Sequence, residues 1–559
     1  MNEQVFKIKK LFHEKKYSEL IFFIESEIEN KSSEILNILA AARLLRYETK
    51  EVIQLAISEF REAYLKEKKT QNGLNALQNL INSTADFIDY LNYQDIKKDF
   101  FNECISFYNE AEINFGYNQD LIRAIVKVYR SLNDVDKVLY YFNKLYENKN
   151  LTLTSLCNWI FYNNYKKNWT QKDYFNYSKL VEAHTPKYSE EKLLKIKPKN
   201  NNKIHLGFLT SDIREKHSII YFLKTILSKY NEEKFQISLY LNNKKDDEDT
   251  SFFKTLVSKS FNISTKGDEE AINLIRDDGP NIIIDLMGIS STNRMTLFKN
   301  RLAPIQISWL GYCNTTGLNQ MDFIIADPNL IYNGEKNFYS EKIIFLPNIW
   351  NCHSGFDTER IESPAPYLKN KYITFGSFNN FSKITNQVAM VWSDILKNVS
   401  GSKLILKSSL KLQPTRLEQL FKKNGVAESV SFIGHKKNHQ DHLNLYNQID
   451  IALDTFPYNG VTTSFESIWM GVPVLTMKGF NFNSRCGESI NKNLGTNELI
   501  AENEKKYALK AIDLANNKEN LLYLRNFIFN NALSSNLFNQ NKFRNDFFNS
   551  LERIYREAP

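Results

Sequence analysis

At 559 residues the chain exceeds one ordinary domain, and its length suggests roughly three or four folding units. A hydrophobic share of 42% and an aromatic share of 13% provide material for sizeable cores and exclude a chain that stays disordered. The 72 basic against 64 acidic residues leave a net charge of +8, a small excess that fits a solvated mixed-charge surface as well as an anionic partner.

Five cysteines, Cys104, Cys157, Cys313, Cys352 and Cys486, lie far apart and suggest neither a zinc site nor a disulfide framework. The first residues, MNEQVFKIKKLFHEKK, are charged throughout and lack the apolar core of a secretion signal. No window approaches the ~20 apolar residues that a membrane helix needs. A cytoplasmic protein without a membrane span is expected.

Up to about residue 200, apolar residues recur at three- and four-residue intervals, and Gly and Pro are scarce. LIRAIVKVYRSLNDVDKVLYYFNKLYENKN (121–150) shows the pattern best. Tyr129, Val138, Phe142 and Leu145 fall on the inner faces of two antiparallel helices, with Leu132 and Asn133 near the turn. The spacing resembles a degenerate tetratricopeptide unit of ~34 residues; an irregular helical bundle fits equally. We therefore expect a tetratricopeptide-like helical region over 1–150 and a helical linker over 151–200.

Beyond residue 200 short β-rich runs alternate with amphipathic helices. IHLGFL (204–209), FQISLYL (235–241) and NIIIDLMG (281–288) belong to a first series, with helices near 217–230 and 268–277. After a Pro-containing stretch (353–370) the alternation restarts with YITFGSF (372–378), KLILKS (403–408), SVSFIG (429–434), IDIALDTF (449–456) and VPVLTM (472–477). Such alternation predicts an α/β protein of two doubly wound lobes, 201–352 and 371–559, with ligands beyond the carboxyl ends of the strands. From about Glu502 the chain reads as helical.

Four stretches could carry chemistry. In DIALDTFPYNGVTTSFESIWMGVPVLTM a strand runs into the turn Tyr458-Asn459-Gly460, and Thr462 and Thr463 open a helix. Its unpaired N–H groups and the two hydroxyls suit a phosphate, and Glu466, one turn on, suits a ribose. Equally, Thr462 or Thr463 could cap the helix with Glu466 completing a capping box. In FGSFNNFSKI, Asn379, Asn380 and Lys383 follow a strand of the same lobe, and Lys383 could neutralise a departing diphosphate or be an exposed lysine. In LAPIQISWLGYCNTTG (302–317), Gly311 permits close approach to a ligand and Asn314 to Gly317 add small polar groups, unless this is a plain loop. In TSDIREKHSIIYFL, Asp212 and His217 follow the first strand, where a histidine could move a proton or lie idle on the surface.

Together these stretches resemble the O-linked N-acetylglucosamine transferases of glycosyltransferase family 41, above all the bacterial members. LAPIQISWLGYCNTTG is similar to that family's APIQ-x-x-WLGYPGT-[ST]-G segment. YSEKIIFLPN (339–348), FGSFNNFSKI, FPYNGVTTSFESIWMGVPVLTM and SRCGESI follow in the family's order. The likeness spans about residues 200–545, and the large insertion of animal members is absent.

The resemblance implies a GT-B fold, an inverting reaction, a UDP-sugar donor (usually UDP-GlcNAc), a protein acceptor and no cofactor or metal. It implies Lys383 on the diphosphate, Asn380 near the nucleotide, Asn459 and Gly460 in the UDP-binding loop, Thr462 and Thr463 on the phosphates, Glu466 on the ribose and His442 against the uracil. Gly311 and Tyr312 would border the donor sugar, and His217 would be the active-site histidine. Departures are Val461 in place of the histidine of NGHTT, Met287-Gly288-Ile289-Ser290 in place of SGHT, and Cys313-Asn314 in place of Pro-Gly. They leave sugar identity and proton handling open, with Asp212 or Asp278 as alternative bases. Analogy with bacterial relatives suggests a flagellin or another surface protein as acceptor, no nucleic acid, and possible oligomerisation through the helical region. Rival readings are a protein N-glucosyltransferase-like enzyme using UDP-glucose, a catalytically weak nucleotide-sugar-binding scaffold, and a nucleic-acid-binding helical-repeat protein.

Overall fold

The computed structural model describes residues 2–47, 49–88, 101–188, 203–214, 217–243, 245–290, 292–407, 415–434, 436 and 438–557. The chain divides into two compact units, one of Met1–Leu151 with Ser409–Gln419 and one of Thr152–Ser408 with Leu420–Pro559.

The first unit is helical: α1 (Asn2–His13), α2 (Tyr17–Glu27), α3 (Ser33–Arg46), α4 (Lys50–Lys66), α5 (Gln71–Phe87), α6 (Asn102–Phe115), α7 (Gln119–Ser131) and α8 (Val135–Glu147). Ser32, Thr49, Thr70, Asn118 and Asp134 begin five of these helices, each side chain accepting from a first-turn N–H. Tyr129, Val138, Phe142 and Leu145 are all buried, and Asn133 turns the chain with φ +55°. Tyr129 stacks on Tyr141 at 5.6 Å, so the expected helical hairpin forms and an aromatic seam closes it.

The second unit opens with α9 (Leu153–Asn163) and α10 (Gln171–His184), within the stretch read as a linker; its residues 189–200 lie outside the described residues. These helices pack on the α/β body. Gln171 Nε2 donates to Asn314 Oδ1 at 2.9 Å, and the Ser178 carbonyl presses against Gly317, where a Cβ would stand 1.9 Å from it.

Next come β1 (Ile204–Thr210), α11 (Ile219–Leu227), β2 (Phe235–Leu241), α12 (Glu248–Thr255), β3 (Lys259–Asn262), α13 (Asp268–Asp278), β4 (Ile282–Asp285), α14 (Met295–Lys299), β5 (Ile305–Ser308), β6 (Phe323–Ala326) and β7 (Lys342–Phe345). They form one sheet of order β3-β2-β1-β4-β5-β6-β7, parallel throughout. The second series is α15 (Pro366–Asn370), β8 (Thr374–Ser377), α16 (Asn386–Asn398), β9 (Lys403–Lys407), α17 (Thr415–Lys423), β10 (Val430–Ile433), α18 (His439–Asn444), β11 (Ile451–Leu453), α19 (Thr462–Trp469), β12 (Val474–Met477), α20 (Cys486–Leu494) and β13 (Ile500–Ala501). Its sheet runs β10-β9-β8-β11-β12-β13. β4, β5, β8 and β12 are buried along their whole length, as parallel strands covered on both faces must be.

In each sheet the strand order reverses once, between β1 and β4 and between β8 and β11. These are the switch points where an α/β sheet leaves a crevice for a ligand. The two lobes and the preceding helices are the GT-B architecture with a helical front that the sequence implied.

The chain closes with α21 (Glu504–Asn516), α22 (Lys518–Asn531) and α23 (Gln540–Glu557). Tyr507 of α21 donates to the Asp454 carbonyl at 2.9 Å. In contrast, α23 returns to the first sheet: Phe547 meets Trp309 at 4.7 Å, and Arg544 donates to the Thr225 carbonyl at 3.0 Å. The terminal helices, read above as one extension of the rear lobe, therefore bind both lobes. Among the described residues no helix is long and apolar enough to cross a membrane.

Candidate functional site

The rear switch point is built around Asp454, just beyond β11. Its Oδ1 accepts the N–H groups of Thr455 at 2.8 Å and Gly460 at 2.6 Å, and its Oδ2 accepts the Thr476 hydroxyl at 2.7 Å. Burial pushes this carboxyl up to about 6, against the pull of those donors and of Lys383. The loop so clipped carries Asn459, whose Nδ2 donates to the Thr455 carbonyl at 2.9 Å and whose Oδ1 accepts from Gly487 N–H at 3.2 Å. The Asn459 side chain thus ties the loop to itself and to the start of α20, a correction to its reading as a donor-binding side chain. Its carbonyl is the part that matters, accepting Lys383 Nζ at 2.8 Å.

Lys383 ends a short 3₁₀ turn, Phe381–Lys383, that Asn380 caps by accepting Ser382 N–H at 2.9 Å. The lysine ammonium lies 4.2 Å from the centre of the Tyr458 ring. Burial lowers its pKa below the ordinary lysine range and Asp454 offsets part of that shift. Gly460 has no room for a side chain, since a Cβ would meet Thr463 Oγ1 at 2.5 Å and Asn379 Oδ1 at 2.9 Å.

α19 begins directly after this loop and has no side-chain cap; Val461 stands at the N-cap position. The alternative capping box of Thr462 or Thr463 with Glu466 is thus absent. Thr463 instead donates to Asn379 Oδ1 at 3.0 Å, and Glu466 turns towards α18. Glu466 Oε2 lies 3.0 Å from His442 Nε2 and accepts the Tyr446 hydroxyl at 2.8 Å. Burial alone would raise this carboxyl, but His442 and Tyr446 hold it below its ordinary value. The arrangement leaves an uncapped helix mouth beside a lysine, and a fixed carboxylate one turn deeper. An anion followed by a hydroxylated ring matches that order of charges.

In the front lobe Asp212 and His217 follow β1. His217 Nε2 is 3.7 Å from Asp212 Oδ1, and burial lowers the imidazole pKa, with Asp212 opposing. A neutral ring beside a carboxylate is suited to accept a proton at neutral pH. Glu215 and Lys216 of the same stretch lie outside the described residues.

Three front-lobe expectations need correction. Asp278 lies near the start of β1, away from the switch point: its carboxylate accepts Lys259 Nζ at 2.6 Å, and Ser238 and Tyr240 hydroxyls at 2.7 Å each. It is fully engaged in joining β2, β3 and α13, and is no alternative base. Gly311 makes its close approach to the chain itself, a Cβ there standing 1.9 Å from the Leu286 carbonyl oxygen. The small polar groups of Asn314–Gly317 are likewise internal: Thr315 Oγ1 and Thr316 N–H donate to buried Glu341 at 2.7 Å each. Tyr312 is buried, with its ring 6.2 Å from Phe161 and its Cβ against Gly288.

Several residues at these points escaped the sequence reading. Asp285 ends β4 and accepts Met287 and Gly288 N–H groups at 3.0 and 2.9 Å; burial raises it to about 7. Asp285 and Asp454 share a signal, an acid closing an apolar run in IIID and IALD. Lys407, buried at the end of β9, has its pKa lowered by burial, and the field of Glu466 opposes that shift. Across the lobes Arg485 forms a two-pronged pair with Glu335 at 2.6 and 2.7 Å, and Ser489 donates to Asp327 at 2.6 Å.

The chain is similar to the probable UDP-N-acetylglucosamine–peptide N-acetylglucosaminyltransferase SPINDLY of Solanum lycopersicum, 33% identical over 372 residues, 63% of this chain and 38% of that protein. The Arabidopsis thaliana protein of the same description is 34% identical over 333 residues, covering 58% and 36% of the two chains. The chain thus spans little more than a third of the length of these relatives. Among solved structures, a mutant O-GlcNAc transferase of Thermobaculum terrenum shares the fold, with a TM-score of 0.80 at 21% identity over 95% of this chain and 99% of that one. The family model described as glycosyl transferase family 41 matches residues 171–354 and 361–547, well over half of the sequence, and the chain belongs to that family.

Proposed function

We propose that the protein transfers a sugar, GlcNAc in the first instance, from a UDP-sugar to a Ser or Thr hydroxyl of a protein, with inversion and without a metal ion. One observation carries this reading: Lys383, the Asn459-Gly460 loop and the uncapped start of α19 meet in one crevice, with Glu466 a turn deeper. Family membership and the printed descriptions of the plant relatives support it.

In this reading the helix mouth, Thr462 and Thr463 receive the diphosphate, Glu466 the ribose hydroxyls, and His442 the uracil. An acceptor oxygen bonds to the anomeric carbon as the bond to the diphosphate oxygen breaks. The electron pair stays on that oxygen, where the Lys383 ammonium stabilises it, a role a divalent ion fills in other transferases. The acceptor proton passes to His217, which Asp212 orients. The helical unit selects the acceptor, and a flagellin or another surface protein, met in the cytoplasm, is the first class to try.

The test uses the full chain. Calorimetry with UDP in excess EDTA should give saturable heat, and intact-mass analysis of a co-expressed acceptor should show one added N-acetylhexosamine per modified site. No heat with UDP would overturn the nucleotide site; an added hexose or a modified Asn would overturn the sugar or acceptor assignment.

A further inference from the structure

A lysine held by one hydrogen bond to a loop carbonyl is a loose catalytic group, because its four-carbon stem swings freely. Lys383 has a second support in the Tyr458 ring, 4.2 Å below its ammonium. The Tyr458 backbone is fixed by the Thr455 hydroxyl, which donates to its carbonyl at 2.7 Å. The direction of its ring is set elsewhere. Tyr165 lies against it at 5.1 Å with an interplanar angle of 37°, and Phe161 meets it edge-on at 6.1 Å and 65°. Phe161 and Tyr165 also meet each other at 6.0 Å, and Tyr165 is buried. Phe161 belongs to α9 and Tyr165 follows it, both before residue 171, where the family match begins.

We infer that the end of α9 is a working part of the donor site, Phe161 and Tyr165 acting as positioning residues that hold Tyr458 beneath the Lys383 ammonium. The inference rests on the reading of Lys383 given above, and adds that the α/β lobes alone do not complete the site. Rings at these separations favour tilted and edge-on contacts over free rotation. A cation over an aromatic face gains more as water is removed from it, and both Lys383 and Tyr458 are partly buried.

The test reads Lys383 directly and through turnover. Competitive acetylation with acetic anhydride across pH, followed by peptide mass spectrometry of the full chain, reports the titration of Lys383 without reference to activity. UDP release from UDP-GlcNAc across pH reports its use. Tyr458→Leu and the double variant Phe161→Leu/Tyr165→Leu keep apolar bulk and lose the rings. Both should move the Lys383 titration to lower pH by about one unit and lower kcat about tenfold, the size expected for a desolvated cation–aromatic contact. The basic limb of the pH profile should move with it, while KM for the donor changes little. Tyr458→Phe and Tyr165→Phe should match the parent.

An unmoved Lys383 titration in the double variant, or equal behaviour of the Phe and Leu variants, overturns the inference. Lys383→Ala separates it from the proposed function. If that variant keeps full UDP release while the Leu variants still shift Lys383, the aromatic support stands and the lysine's catalytic role falls. If it is inert and the titration does not move, the reverse holds.

Discussion

In the front lobe an aspartate at the end of β4, Asp285, takes the N–H groups of Met287 and Gly288; in the rear lobe Asp454, just past β11, takes those of Thr455 and Gly460. Both clips fold a glycine-bearing loop over the carboxyl end of a central strand. The loops nearby then part ways. In the front lobe Thr315 and Thr316 are consumed by Glu341, and Asn314 by Gln171 of α10. In the rear lobe the Thr463 hydroxyl donates to a neutral amide side chain, α19 starts uncapped, and a lysine rests on the loop carbonyl. Small polar residues after a strand thus mark either an internal brace or a ligand site. What separates the two is whether a buried carboxylate already takes the threonine hydroxyls.

That contrast is most exposed at Lys383. Lys383→Ala should lower turnover on the order of a hundredfold or more, as removal of one preorganised oxyanion donor does, with the thermal midpoint little changed. Turnover close to the parent's would erase the distinction between the loops. The next largest effect belongs to the brace: Glu341→Ala takes the acceptor from two hydroxyl donors and an N–H and should cost about 3 kcal/mol in stability. Chemical denaturation would measure this. The surviving folded fraction should bind UDP with unchanged Kd; a weakened Kd would make the front loop part of the site after all. Smaller again, Thr463→Val should raise the Kd for UDP about tenfold, the worth of one hydrogen bond to a charged group. By calorimetry, an unchanged Kd would mean that this hydroxyl serves only Asn379.

The same contrast explains what the sequence could and could not show. Strand–helix alternation located both sheets, because parallel strands buried on two faces leave continuous apolar runs such as IHLGFL and FQISLYL. It missed β3 (Lys259–Asn262), an edge strand whose residues are mostly exposed and so carry no apolar run, and it named no strand over β6 or β7, whose runs are only four residues long. Lys383, Thr463 and Glu466 were legible because polar residues directly after a strand of one lobe must project to one crevice. Gly311 and Asn459 were legible as unusual residues but not in their roles, since a glycine near another backbone looks the same in sequence as one near a ligand. Asp278 misled for a related reason: nothing local tells a carboxylate that Lys259 and Tyr240 will approach it from other strands. The aromatic support from α9 is invisible for the same cause, because Phe161, Tyr165 and Tyr458 meet across nearly three hundred residues.

The smallest effect concerns the clips themselves. Burial raises Asp285 to about 7 and Asp454 to about 6, whereas an unfolded aspartate titrates near about 4. Between those values the folded chain holds protons that the unfolded chain has released. This contribution to stability is complete below about pH 4 and is lost as pH rises through the folded values. The thermal midpoint should therefore fall by a few degrees between about pH 4 and 7 and level off above. Asp285→Asn, which stays neutral and keeps one acceptor, should flatten the upper part of that slope and leave the Kd for UDP alone. Asp454→Asn should flatten the lower part, and because its loop carries the carbonyl that holds Lys383, it should also weaken UDP. Calorimetric melts and UDP titrations of both variants decide the matter: if both variants affect UDP equally, the front clip serves the ligand as the rear one does, and the lobes differ less than their hydrogen bonds imply.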